Sequence, residues 1–560
     1  MGFNIPPRRT PPAPVPFTMD ALHEELDGRY SNPAGLNLKL DKAEAETLYA
    51  TDLTLSIDAF KGVNAVKWDG ATDDTAKLDA LAALAVSKKL PLRLPPFTGM
   101  VTTWKPPSNL WLIGAGSGQT VIKQHPSATG ANAPTIDISG TTGVRLQGLT
   151  IDGNEDAFTA VSSEWKHCIN ARGTTDARFT DVVATNAKGD GLYIGLGTTG
   201  QHSSNFSAHR LRCVGNMRNG LSIIDLSDGR FVDCEFNNQS GLWPQAGVDI
   251  EPNDNTSIIA DIHFINPVMT GNTGDGLDIV MYPGGQTQER VKFVTPTIRN
   301  NGRYGVQFYG SMGVELISPD ISENAWDGAF FASGAITGTT IQGGRIVKNG
   351  HHGINCQPVA GSTVKNTKIL GTTIQDNGTA APNTYYGMLW DQVGTTFGSV
   401  DGLMIRNVTS GNRLTSNQKY GAYYSLAVTN LFEEGNDFRN NATTAVIHND
   451  DAATRQRGVS LGPSQGAGVA SSQTLSSSIR NAIVTTTTTA ITLTLPTAPE
   501  PLVDYNVWDD TGNAAANNIT IAPSAGHTIV NATAPLKITT NYGFVRLMFR
   551  SNKWYVVSTK

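Results

Sequence analysis

The feature that most constrains this chain is a glycine that returns, coil after coil, just before a short apolar-alternating run. Gly191, Gly220, Gly247, Gly276, Gly305, Gly328, Gly353, Gly387 and Gly421 stand at steps of 29, 27, 29, 29, 23, 25, 34 and 34 residues. The runs read NAKGDGLYI, NMRNGLSII, QAGVDIE, NTGDGLDIV, NNGRYGVQFY, NAWDGAFF, NGHHGINC, YYGMLW and QKYGAYYS. A step of this size is one coil of a solenoid, whose repeats touch only their neighbours. A second landmark keeps phase with the first: Asn266-Pro267, Thr295-Pro296 and Ser318-Pro319 recur at steps of 29 and 23. Two landmarks in phase exclude the string of separate globular domains that 560 residues would otherwise suggest.

Stacking such coils puts equivalent strands ~4.8 Å apart, so residues of equal register form columns that alternate inward and outward. Both inward columns are apolar: Leu192, Leu221, Val248, Leu277, Val306 and Ile354 in one, Ile194, Ile223, Ile250, Ile279, Phe308 and Cys356 in the other. The Asn that precedes each Gly is placed to form an amide ladder inside the turns. The pattern predicts an all-β chain over 57–450, a right-handed parallel β-helix (a solenoid) of about a dozen coils and ~60 Å of axis. A short N-terminal helical segment and a small C-terminal β-domain flank it.

Outside the repeats, residues 1–56 begin Pro-rich and continue as short Leu/Ala/Glu-rich helical pieces, too short to stand alone in water, which suggests an attachment or stalk segment. Residues 451–478 read as a Gly/Ser-rich linker, and 479–560 as a β-domain of short alternating strands. Only 16% of residues are charged, against roughly 25% in an average chain. A net charge of −6 with no basic block argues against nucleic acid as a partner. The four cysteines, Cys168, Cys213, Cys234 and Cys356, lack CxxC spacing and read as buried thiols. The opening MGFNIPPRRTPPAPVPF holds no apolar signal core, and no later run suits a membrane span, so synthesis in the cytoplasm and no membrane insertion are expected.

The stretch KGVNAVKWDGATDDTAKLDALAALAVSKKLPLRLPPFTGMVTTWKPPSNLWLIGAGSGQTVIK adds a specific resemblance. Its DGxTDDT opening, short strand with following proline and IGAG turn resemble the start of pectate-lyase-superfamily β-helices, especially those of bacteriophage tailspikes. In this reading Thr72 caps a helix with Asp73 and Asp74 in its first turn and Leu78, Leu81, Leu84 and Ala85 on its apolar stripe. The helix dipole accounts for that acid pair without catalysis. The run DDTGNAAANNITI resembles C-terminal modules of phage tail fibres, which trimerise the spike or bind carbohydrate. What the resemblance implies is a homotrimer attached to a phage tail or baseplate through its N-terminus. Located in the virion tail, it would act at the bacterial cell surface on capsular or lipopolysaccharide chains.

Function must sit on the outward columns, because inward positions are spent on the core. These run Tyr193, Ser222, Asp249, Asp278, Gln307 and Phe330, and Gly195, Ile224, Glu251, Val280 and Tyr309. Three carboxylates, Asp249, Glu251 and Asp278, therefore gather on adjacent rungs, where like charges cost stability and raise each other's pKa. One protonated and one ionised carboxyl on a common face is the requirement of glycoside hydrolysis, and backbones ~8 Å apart favour inversion. Glu251 is assigned as acid and Asp278 or Asp249 as base. Trp243, Tyr193, Tyr309 and Tyr282, with Phe330, offer flat faces for sugars. On the neighbouring sheet Lys292 faces outward by the same alternation, with Arg299 and Arg303 in the following turn, and these offer cations for acidic sugars. No cofactor is expected, except Ca²⁺ on the three carboxylates if the enzyme is instead a lyase with Lys292 or an arginine as base. A non-catalytic adhesin is the other alternative. His351 and His352 read as structural, and no Ser-His-Asp, phosphate-loop or HExxH pattern occurs.

Overall fold

The computed structural model describes residues 55–56 and 66–560, apart from 160–163, 254, 281–286, 392–397, 414, 426–427, 449–455, 459–465, 476–480, 486–487, 500–503 and 532–534. The N-terminal stalk expected for 1–56 thus lies almost wholly outside the described residues. From Leu55 onward the chain is almost all β, with one α-helix at Thr75–Lys88 among the described residues. Two long parallel sheets, of 25 and 15 strands, form a right-handed parallel β-helix. In the smaller sheet twelve strands follow one another from Ile136–Asp137 to Thr444–His448.

A single coil shows why the repeat folds this way. After Gly276 the strand Leu277–Val280 joins the smaller sheet, while Thr287–Val294 and Thr297–Arg299 join the larger one. The Thr295-Pro296 step turns the corner between the last two. Asn266, Thr295 and Ser318 occupy the left-handed region at φ of 51°, 49° and 50°. Their N–H groups still reach the next coil's carbonyls, those of Val294, Ile317 and Gln342, at 2.9, 2.7 and 2.6 Å. The repeated glycine answers a different need. A Cβ on Gly305 would lie 2.5 Å from both the Gly328 carbonyl oxygen and Ile321 Cγ2, so only glycine lets neighbouring coils approach there.

The inward columns are as the periodicity predicts. Leu192, Leu221, Val248, Leu277 and Val306 pair in register, as do Ile194, Ile223, Ile250, Ile279 and Phe308, and all ten are fully buried. Beneath the larger sheet Phe206, Phe231, Phe264 and Phe293 form a ring stack with successive centroids 5.9, 4.6 and 4.5 Å apart. The amide ladder is present. The side chains of Asn272, Asn301, Asn324, Asn349 and Asn377 each accept the backbone N–H of the preceding rung at 3.1 Å. All four cysteines are buried free thiols.

Two details differ from the sequence expectation. The helix begins at Thr75, so Asp73 and Asp74 precede its first turn, and the side chain that meets its first N–H is that of Asp73 and not of Thr72. Their polar groups are already engaged. Asp74 accepts the N–H groups of Lys67 and Trp68 at 3.0 and 2.9 Å, Asp73 accepts that of Thr75 at 3.1 Å, and Thr72 donates to Asp69. The segment expected as a linker also carries strands. Gln456–Gly458 still pairs with the β-helix strand Phe432–Glu434, while Gly466–Val469 and Gln473–Thr474 pair with Asn481–Val484 and Ile491–Thr494 of the C-terminal module. Strand pairing is a backbone matter, and a Gly/Ser-rich composition does not forbid it. The module has its own core, built around Tyr505, Leu547 and Trp554.

Candidate functional site

The carboxylates fall on the rungs that the periodicity assigns. Ser222, Asp249, Asp278 and Gln307 stand directly above one another on the smaller sheet, Val280 faces Tyr309, and Glu251 follows the strand Val248–Ile250. Their surroundings differ from a solvated outer face. Asp249 is 1% exposed and Asp278 5%, whereas Glu251 is half-buried. The turns entering this sheet fold side chains over it. Asn219 Nδ2 donates to Ser222 Oγ and to Asp249 Oδ2 at 3.1 and 2.8 Å, and Arg218 reaches Ser222 Oγ at 3.4 Å. Gln307 Nε2 donates to Asp278 Oδ1 at 3.2 Å, while the buried Asp249 Oδ1 has no hydrogen-bond partner. Burial, and then the Glu251 carboxylate, pushes Asp249 well above the usual range; burial, and then Asp249, does the same to Asp278.

Sequence reasoning missed a second line of groups beside these acids, at the position before each repeated glycine. His167 Nδ1 accepts the N–H of Asp190 at 3.0 Å, Asp190 that of Asn219 at 3.0 Å, and Asn219 that of Ala246 at 2.9 Å. Farther along, Asp275 accepts from Tyr304 at 2.9 Å, Asp327 from His352 at 2.7 Å, and His352 Nδ1 from Tyr386 at 3.0 Å. The recurring Asp-Gly pairs 190–191, 275–276 and 327–328 were the available signal. Arg303 binds this line to the aromatic residues. It pairs with Asp275 at 3.4 Å and lies over the rings of Trp243, Trp326 and Tyr304 at 4.4, 4.8 and 5.1 Å. Trp243 is 63% exposed. Asp249, Glu251, Asp278, Asp275, Arg303 and Trp243 therefore make one cluster with an acidic floor and an aromatic-cationic rim.

Other expected residues stand elsewhere. Tyr193 is not an open face for a sugar: it is buried, stacked on His167 at 4.7 Å and covered by Arg172 at 4.9 Å. Lys292 and Arg299 belong to the larger sheet and bind Glu315 and Glu323 at 3.0 and 3.5 Å, so they do not join the carboxylates. Tyr309 is exposed, Phe330 is stacked on Tyr304 at 4.6 Å, and Tyr282 lies outside the described residues. His351 stacks on Tyr385 at 4.4 Å, and burial holds His352 down at about 3. Among the described residues no three His, Cys, Asp or Glu side chains are grouped so as to hold a metal ion. No described helix is long and apolar enough to cross a membrane.

Burial raises the pKa of Asp327 to about 6. The folded state therefore binds this proton more tightly than the unfolded chain. Stability is greatest below the unfolded carboxyl value and falls as pH rises from about 4 to about 6, by roughly 3 kcal/mol. Asp327→Asn keeps an acceptor for the His352 N–H and has no charge to bury. Urea midpoints measured across that window are expected to show less destabilisation with rising pH in the variant than in the wild type.

Residues 279–454 match the family model described as the right handed beta helix region. No curated protein matches the chain in sequence. Among solved structures, the A-module of the Azotobacter vinelandii mannuronan C-5 epimerase AlgE4 is 16% identical with a TM-score of 0.48, covering 72% of this chain and all of its own. Tailspike protein 3 of bacteriophage CBA120 is 12% identical with a TM-score of 0.49, over 97% of this chain and 76% of that one. The tailspike gp49 of the Acinetobacter baumannii bacteriophage Fri1, a capsular polysaccharide depolymerase, is 15% identical with a TM-score of 0.42, over 72% and 64%.

Proposed function

We propose that this chain is a bacteriophage tailspike that binds and depolymerises a bacterial surface polysaccharide by glycoside hydrolysis, with Asp249, Glu251 and Asp278 as its reacting carboxyls. The observation that carries this reading is three carboxyls on two adjacent rungs, two of them buried so that they retain protons far above the usual range. A carboxyl whose proton is held above the usual range can protonate a leaving oxygen, while an ionised neighbour activates water. Burial of the aspartates shifts the roles from the sequence assignment. Asp278 or Asp249 holds the proton, and the half-buried Glu251 is the base. Trp243 and Tyr309 present apolar faces to the sugar rings, and Arg303 orients the chain at the rim. Homotrimer formation, tail attachment through the N-terminus and a virion location belong to the same proposal and rest on the DGxTDDT and DDTGN resemblances.

A non-catalytic receptor-binding reading has one observation in its favour, the near-complete burial of Asp249 and Asp278. A lyase using Lys292 as base has none, since Lys292 sits on the other sheet in an ion pair. The deciding experiment treats purified surface polysaccharide of a susceptible host with the protein and follows reducing ends and ultraviolet absorbance in parallel. New reducing ends without an unsaturated product are expected. Binding with no change in chain length would overturn the hydrolase reading in favour of an adhesin, and an absorbing product would overturn it in favour of a lyase.

A further inference from the structure

A cavity of about 820 Å³ opens on the outer face of the smaller sheet, over its first coils, lined among others by Lys105, Trp165, His167, Asn170, Arg172 and Gln201. Its size suits a ligand of one or a few sugar rings. Two of its lining side chains carry buried polar atoms without partners, His167 Nε2 and Asn170 Oδ1. The chemistry of each atom follows from its neighbours. His167 Nδ1 accepts the Asp190 N–H at 3.0 Å, and burial holds the imidazole down at about 4, so it is neutral with its proton on Nε2, an unmade donor. Asn170 Nδ2 already donates to Asp137 Oδ1 and Ser139 Oγ at 3.2 and 3.1 Å, which leaves Oδ1 an unmade acceptor. Leaving such atoms unpaired is unfavourable, and a polar ligand or water removes that cost.

The third feature is a charge. Arg172 is half-buried, its guanidinium held over the rings of Trp165 and Tyr193 at 5.0 and 4.9 Å. Arg218 and Arg303, each in a turn two residues before a repeated glycine, are by contrast tied to Asp190 and Asp275. Arg172 has no carboxylate partner among the described residues. A guanidinium fixed by two rings and left without a counter-ion is preorganised for a planar anion, which it can bind through two parallel N–H groups. The strand register also joins this cavity to the carboxylate cluster. Asn170 pairs with Tyr193, Tyr193 with Ser222, and Ser222 with Asp249, so three strand steps, about 14 Å, separate the two places on one face.

We propose that this cavity is a binding subsite for a carboxylate-bearing sugar, a uronate or its like, with Arg172 reading the carboxylate and His167 Nε2 and Asn170 Oδ1 reading ring hydroxyls. It deepens the reading of the chain as a polysaccharide-binding protein: the polymer lies along the helix axis and carries an acidic residue a short oligosaccharide away from the carboxylates.

The test uses D-glucuronate, D-glucose and D-glucose 6-phosphate as probes, observed by ligand NMR on the full-length protein. Glucuronate is expected to bind, with glucose and glucose 6-phosphate at least about tenfold weaker. Arg172→Gln is expected to weaken glucuronate about tenfold or more, the scale of a lost charge-assisted bond. Arg172→Lys, which keeps the charge and loses the fork, should fall between. Asn170→Leu is a second variant that spares the cation and should weaken glucuronate and glucose alike. Lys292→Gln, on the other sheet, should leave every probe unchanged. Equal binding of glucuronate and glucose, or of glucuronate to wild type and to a folded Arg172→Gln, would overturn the subsite, and preference for glucose 6-phosphate would overturn the carboxylate in favour of a phosphorylated sugar. The readout needs no bond cleavage, so a failure of hydrolysis leaves it intact and a failure here leaves hydrolysis untouched.

Discussion

Glu251→Gln is expected to lower the rate of reducing-end release by a factor of about 10²–10⁴, the range general acid-base groups supply, with polysaccharide binding retained. Asp278→Asn and Asp249→Asn should fall in the same range. The three should part in their pH behaviour and stability. Asp249 and Asp278 have pKa values raised by burial first and by a neighbouring carboxylate second, Glu251 for Asp249 and Asp249 for Asp278. A raised folded-state pKa means that each contributes most stability below the ordinary carboxyl range and loses it as pH rises towards the raised value. A neutral amide of the same shape removes that loss. Asp249→Asn and Asp278→Asn are therefore expected to be at least as stable as wild type above neutral pH in a urea titration, so loss of activity cannot be assigned to unfolding. Removing the acid partner should also abolish the basic limb of the rate profile. Undiminished release in all three folded variants would place the chemistry elsewhere on the helix.

How much of this was legible in the sequence depends on which residues look alike from coil to coil. The inward columns repeat the same chemistry at the same phase, so the pairing of Leu277 with Val306 and of Ile279 with Phe308 follows from counting alone. The outward pairing of Asp249 with Asp278 follows from the same count. What counting could not supply is what lies above an outward residue. Asp249 is covered because Asn219 reaches over from the preceding turn, and Tyr193 because Arg172 and His167 pack on it. Turn side chains change identity from coil to coil, and their reach depends on a turn conformation that no periodicity encodes. The same holds for the Asp-Gly pairs. The glycines marked the repeat, whereas the carboxylates before them read as ordinary turn acids until their backbone acceptor role was seen. Lys292 faced outward as the alternation predicts, but on a sheet where Glu315 neutralises it.

Phe264→Ala is expected to be the most destabilising single truncation in the helix, by about 3–5 kcal/mol. Its ring lies between Phe231 at 4.6 Å and 11° and Phe293 at 4.5 Å and 5°, fully buried. In a solenoid each coil meets only the coils above and below, so a cavity at one rung weakens two interfaces at once. The backbone registers Phe231↔Phe264 and Phe264↔Phe293 hold the neighbours at strand spacing and prevent them from closing the gap. Phe264→Leu retains most of the volume and should cost markedly less. Urea unfolding followed by far-ultraviolet circular dichroism is the measurement. A loss for Phe264→Ala no larger than for Phe264→Leu would mean that the stack is a consequence of the strand register and adds little to it. A large difference would make the aromatic column, together with the amide ladder, the element that holds the coils in phase. The carboxylate cluster depends on that phase, since a slip of one residue between two rungs would take Asp278 off the outward column and separate it from Asp249.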